Sequence, residues 1–183
     1  MIIDSAAYAA MIEHLQQAAP HEGCGLLAGL RRSPCPRDTD GDGTCGARSC
    51  PDCGQPLVVD TWTPMANHAE FPRLRFQMDE VEQVATWNAL ADSGRRPLVV
   101  VHSHPTGSAV PSPHDVRYAV DPTLLHMVVA LEGREPVAWL WQIRTTGRMV
   151  GGHEQLLRVP YTVADLGFQP ISPTDLTRGV SGA

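Results

Sequence analysis

Lysine is absent from this chain: all 14 of its basic residues are arginine. No lysine-directed modification or isopeptide link can therefore form on its own side chains. Long apolar runs are missing as well. No stretch reaches 18 consecutive apolar residues, so no membrane-spanning helix is expected. The opening Met1-Ile2-Ile3-Asp4 has neither the basic start nor the apolar core of a secretory signal, and cytoplasm is the expected location. Positive charge is scarce too. The formal net charge is −6 and the arginines form no basic stripe, which argues against nucleic acid as a partner. Also lacking is the zinc-protease pattern His-Glu-x-x-His: His21-Glu22 runs into Gly-Cys-Gly, and His153-Glu154 into Gln-Leu-Leu.

What remains is the composition of an ordinary globular domain. At 183 residues the chain is long enough for one domain with a real core, and 43% hydrophobic with 19% charged residues is unexceptional. Asp4 or Ser5 can cap a helix in which Tyr8, Met11, Ile12 and Leu15 recur at helical spacing, ended by Pro20. Strands are expected near 24–30 and 57–62. A helix is expected over 79–93, with Val81, Val84, Ala85 and Asn88 on one side and Gly94 just past its end. Two strand-like runs at 124–131 and 137–143, joined by Glu-Gly-Arg-Glu-Pro, predict a hairpin, and 149–163 holds a last strand. Together these predict an α+β fold: a curved, mostly antiparallel β-sheet flanked by helices.

The stretch that carries chemistry is Val101-His-Ser-His-Pro-Thr-Gly-Ser-Ala-Val-Pro-Ser-Pro-His-Asp115. It follows Pro97-Leu-Val-Val-Val101, a continuous apolar run that reads as a buried strand. Side chains two apart on a strand share a face, so His102 and His104 can converge on one ion. Pro105 and Gly107 break the strand, and Ser112 then caps a helix with Asp115 in its first turn. His102, His104 and Asp115 supply three ligands of zinc-compatible type, leaving a fourth position open. A plain capping box at Ser112 and Asp115 with two strand-end histidines is the alternative reading. A general base has to come from elsewhere. Glu22 is the best candidate, because it stands at the mouth of the apolar strand Cys24-Gly-Leu-Leu-Ala-Gly29. A solvated turn glutamate is the alternative there.

With these residues in view, Pro20-His-Glu22-x-Cys24-Gly-Leu-Leu-x-Gly29, His-Ser-His-Pro and Pro-Ser-x-x-Asp115 resemble the JAMM (MPN+) metalloprotease family. Val58-Val59, Pro64-Met-Ala-Asn67, Pro72 and Phe76 resemble its linking segment, and the resemblance covers about 1–143 apart from an insertion. It implies a cytidine-deaminase-like layering and a domain over 1–163; the remainder, 164–183, is rich in Pro, Gly, Ser and Thr and reads as an irregular tail. It also implies a catalytic zinc ion on His102, His104 and Asp115. Glu22 would take a proton from the zinc-activated water and return it to the leaving amine, while the Ser112 hydroxyl helps to hold the oxyanion. Asn67 and His68 would lie on a loop near the substrate.

The family hydrolyses peptide or isopeptide bonds after the C-terminal Gly-Gly of ubiquitin or ubiquitin-like proteins. A short chain with an arginine bias looks most like the stand-alone prokaryotic members linked to sulfur-carrier proteins. There the enzyme removes a cysteine or short extension, in cysteine or other sulfur-compound biosynthesis. A homodimer is compatible with that reading. A RadC-like, DNA-associated protein shares a similar His-x-His-Pro stretch and stays open as an alternative, as does a zinc-stabilised interaction scaffold without catalysis. The insertion, 31–56, contains Cys35, Cys45, Cys50 and Cys53 and ends in Cys-Pro-Asp-Cys-Gly, which resembles one arm of a zinc ribbon. A structural zinc, disulfides and unengaged thiols are its three readings.

Overall fold

The computed structural model describes residues 1–30, 57–119, 121–145 and 154–167. Cys35, Cys45, Cys50 and Cys53, and most of the tail, lie outside the described residues. The chain opens with β1 (Ile2–Asp4) and α1 (Ser5–Ala18). Asp4 caps α1 by accepting from the N–H groups of Ala6 (3.0 Å) and Ala7 (3.3 Å). Ala7, Met11 and Leu15 form its buried stripe. Then come β2 (Cys24–Leu30), β3 (Val58–Val59), β4 (Thr61–Met65), α2 (Glu80–Asp92) and β5 (Arg95–His104). After them stand α3 (Pro113–Tyr118), β6 (Leu125–Ala130), β7 (Val137–Thr145), β8 (Glu154–Val159) and β9 (Thr162–Ala164).

Six strands form the main sheet in the order β4-β2-β5-β6-β7-β8, and β3-β1-β9 form a small parallel sheet. Within the large sheet only β5 and β6 run parallel, because α3 carries the chain across between them. The expected α+β architecture with a mostly antiparallel sheet is the one found. Because β5 is central, both its faces are covered. Val99 and Val101 face the main core with Leu15, Leu27, Leu125 and Met127. Val100, His102 and His104 face the other way, where Cys24, Leu26, Met65, Met78 and Phe76 form a second, smaller cluster.

Three expectations need correction. The strand expected at 57–62 is two strands, parted at Asp60. That buried carboxylate accepts from Arg95 Nε (2.9 Å) and Nη2 (3.0 Å), and its N–H bonds Ala28 O, so the chain turns from one sheet to the other there. The last strand is likewise two, β8 and β9, separated by Pro160, which breaks the run. In α2 the apolar stripe faces outward: Val81 is 78% and Val84 62% exposed, and Leu90 alone is buried. Helical periodicity locates a stripe but does not say which side the sheet covers.

Candidate metal and catalytic site

β5 delivers His102 and His104 from its last turn of pleat, and the capping box at the start of α3 delivers Asp115. Three bonds hold the connecting loop. Gly107, at φ +102°, where only glycine is unstrained, donates its N–H to Glu132 Oε2 at 2.6 Å. Trp141 Nε1 donates to Ala109 O at 2.8 Å, and His104 Nδ1 lies 2.8 Å from Ser108 O. That last contact requires the Nδ1–H tautomer, since a carbonyl only accepts. His104 would keep that proton on Nδ1 when a metal ion is bound and offer Nε2 as the ligand atom.

The three candidate ligand atoms form a nearly equilateral triangle. His102 Nε2 and His104 Nε2 are 3.2 Å apart, and Asp115 Oδ2 lies 3.3 Å from the first and 3.5 Å from the second. A tetrahedral ion with bonds of about 2.0–2.1 Å sets its ligands about 3.3–3.4 Å apart. The group could thus hold a metal ion without rearrangement. A second observation agrees with this. His102 is fully buried, its ring stacks on Phe76 at 4.4 Å, and its Nδ1 has no hydrogen-bond partner. Burial lowers the pKa of His102, which keeps the ring neutral as a ligand must be. Burial works against the charge of Asp115 as well. Hydrogen bonds from His102, His104 and the Ser112 N–H (2.6 Å) outweigh it, and the carboxyl stays well below its ordinary range.

Glu22 enters this site from two residues before β2, whose Cys24 pairs with His102 across the antiparallel ladder. Its side chain is 5% exposed and its Oε2 has no hydrogen-bond partner. Desolvation raises its pKa to about 7, partly offset by His104 and reinforced by Asp115. A buried carboxyl poised near neutrality beside two imidazoles is suited to taking up and returning a proton. Ser112 Oγ accepts from the Asp115 N–H (3.2 Å), which leaves its own O–H to donate. The capping reading and the site reading of Ser112 are therefore compatible.

From Asp115 a cavity of about 690 Å³ runs between α2, α3 and the 66–78 loop, lined by Phe71, Phe76, Met78, Trp87 and Tyr118. Its floor includes His126, which has no ligand-like spacing in the sequence. β6 places His126 opposite Val100, on the face that carries His102 and His104, and buries it to 7% exposure. A histidine inside the apolar run 124–131 was the available signal. His114 is half-buried against Tyr118 and lines the same cavity. Of the two residues expected near the substrate, Asn67 bonds backbone groups through both ends of its amide, and His68 is exposed.

The environment of His126 predicts a pH effect. Burial, with help from His102, lowers its pKa from 6.5 to about 4. A group depressed on folding contributes stability above its unfolded pKa, and loses that contribution as pH falls through the folded value. Between pH 6.5 and 4 the protein should lose on the order of 3 kcal/mol from this group alone. Urea denaturation of His126→Leu should show a flatter decline across that window. An unchanged slope would show that His126 does not titrate as its burial requires.

Known proteins place this geometry in context. Over 121 residues the chain is 29% identical to the CysO-cysteine peptidase of Mycobacterium tuberculosis, covering 66% of each protein. It is 28% identical over 128 residues to the desampylase of Haloferax volcanii, covering 68% of this chain and 76% of that one. A protein from Desulfitobacterium hafniense, solved in solution, superposes with a TM-score of 0.66 at 28% identity, covering 90% of this chain and 94% of the other. The family described as prokaryotic homologs of the JAB domain matches residues 4–144, which include Glu22, His102, His104, Ser112 and Asp115. The chain belongs to that family.

Proposed function

We propose that the protein is a zinc-dependent peptidase or isopeptidase that hydrolyses the bond after the C-terminal Gly-Gly of a ubiquitin-like sulfur-carrier protein. The observation that carries this reading is the 3.2–3.5 Å triangle of His102, His104 and Asp115 beside the buried Glu22, whose Oε2 has no hydrogen-bond partner. The relatives support the substrate class, since their names describe a peptidase for CysO-cysteine and a desampylase.

His102, His104 and Asp115 would hold the zinc ion, which when bound acidifies a water and polarises a carbonyl. Glu22 accepts the proton of the attacking water and passes it to the leaving amine. Its burial keeps it basic enough for the first step and acidic enough for the second. The Ser112 O–H donates to the oxygen on which negative charge develops. Ser112 is not the nucleophile, because no base stands assigned to it. The cavity beside Asp115 admits an extended chain along its aromatic wall, with His68 exposed on the neighbouring loop. The four insertion cysteines would hold a second, structural zinc.

The test is incubation with a sulfur-carrier protein extended by cysteine beyond its Gly-Gly, with and without chelator, read by intact mass. Loss of the extension that chelator blocks and zinc restores is the expected result. An unchanged carrier mass, together with DNA binding, would instead support the RadC-like reading.

A further inference from the structure

All four backbone polar groups of the Glu22–Gly23 pair are fixed from outside the segment. The Glu22 N–H donates to Pro72 O at 2.7 Å, and Glu22 O accepts from Asn67 Nδ2 at 2.9 Å. Gly23 O accepts from the Ser103 N–H at 2.9 Å, and the Gly23 N–H donates to Ser103 Oγ at 2.9 Å. In a regular ladder continuing from the Cys24–His102 pair, this last N–H would meet the Ser103 carbonyl. It meets the hydroxyl instead, so the serine side chain sets the point at which β2 bends away with Glu22. Helix α1 closes the other side. A Cβ on Gly23 would come 2.9 Å from Leu15 Cδ2 and 3.0 Å from the Ala18 Cβ.

Asn67 supplies the second hold. Its Nδ2 donates to Glu22 O and to Arg75 O, both at 2.9 Å, and its Oδ1 accepts from the N–H groups of Ala69 (3.0 Å) and Gln77 (3.1 Å). Only one orientation of the amide satisfies both sets. The loop that walls the cavity is thereby tied to the main chain of Glu22. Neither residue touches the Glu22 carboxyl. A donor there would stabilise its charge and weaken it as a base, whereas a hold on the backbone aims the group and leaves its basicity alone.

We propose that Ser103 and Asn67 are positioning residues that aim the Glu22 carboxylate at the His102–His104–Asp115 cluster. This rests on the reading of Glu22 as the proton-transferring group. Ser103 is fully buried and faces away from His102 and His104, on the α1 side of β5. Its effect should therefore reach turnover through Glu22, without touching metal or substrate.

Three measurements on the zinc-loaded full chain test this, with the cysteine-extended carrier as probe. Ser103→Ala should lower kcat about tenfold to a hundredfold, with KM within twofold and zinc content unchanged. Amide exchange at Gly23, slow in the native protein, should speed up. On a Glu22→Gln background the same substitution should cause no further loss, because the two act through one group. Asn67→Asp, which keeps the acceptor and removes the donor, should repeat the fall in kcat and its absence in the double variant, and serves if Ser103→Ala does not fold. An unchanged kcat, an effect confined to KM or zinc content, or an equal loss on the Glu22→Gln background would overturn the proposal. Near-normal activity of Glu22→Gln itself would instead overturn the role of Glu22.

Discussion

Glu22→Gln is expected to lower turnover about 10²–10⁴-fold while leaving zinc content unchanged. Glutamine matches glutamate in size but cannot take up a proton, and Glu22 is not one of the three converging ligand groups. The substitution also tests whether the carboxyl is destabilising where it sits. Its pKa is raised on folding, from 4.5 to about 7, first by desolvation. A group raised in this way favours the folded state below about pH 4.5, and that contribution is lost as pH rises through about 7. In the metal-free protein Glu22→Gln should therefore raise Tm relative to the native chain at pH 8 more than at pH 5. Near-normal turnover would remove Glu22 as the base. A Tm difference independent of pH would contradict its buried, unpartnered setting.

Asp115→Ala is expected to abolish both metal binding and activity. The side chain does two things at once: Oδ2 completes the triangle with the two Nε2 atoms, and it accepts from the Ser112 N–H at 2.6 Å. Loss of the cap alone costs about 1 kcal/mol, which leaves α3 folded. Removal of one of three ligands should weaken zinc binding at least about a hundredfold. Metal analysis should show one zinc fewer per chain than in the native protein, whatever Cys35, Cys45, Cys50 and Cys53 hold. Asp115→Asn separates the two roles, because it preserves an acceptor for the cap while removing the charge. Full occupancy in Asp115→Ala would sink the ligand assignment.

The ligand triangle was legible in the sequence because its members lie within 14 residues on adjoining elements of opposite period. Strand alternation aims His102 and His104 together, and the capping box fixes Asp115. Glu22 was less accessible. Its place depends on β2 pairing with β5, 80 residues away along the chain between Gly23 and Ser103, and its position before an apolar strand left a solvated turn glutamate as an open alternative until the family resemblance was added. Asn67 and His126 show what lies beyond a linear pattern. The first makes its bonds to five backbone groups scattered over 22–77, and the second reaches the cavity through the parallel register of β6. The outward stripe of α2 and the break at Asp60 fail for a related reason: local periodicity does not record which partner an element meets.

The central claim, that His102, His104 and Asp115 hold a metal ion, is tested most directly by anomalous diffraction at the zinc edge from zinc-replete crystals. A strong peak about 2.0–2.2 Å from His102 Nε2, His104 Nε2 and Asp115 Oδ2 is the predicted result. Zinc-replete crystals with no peak at that triangle would contradict it.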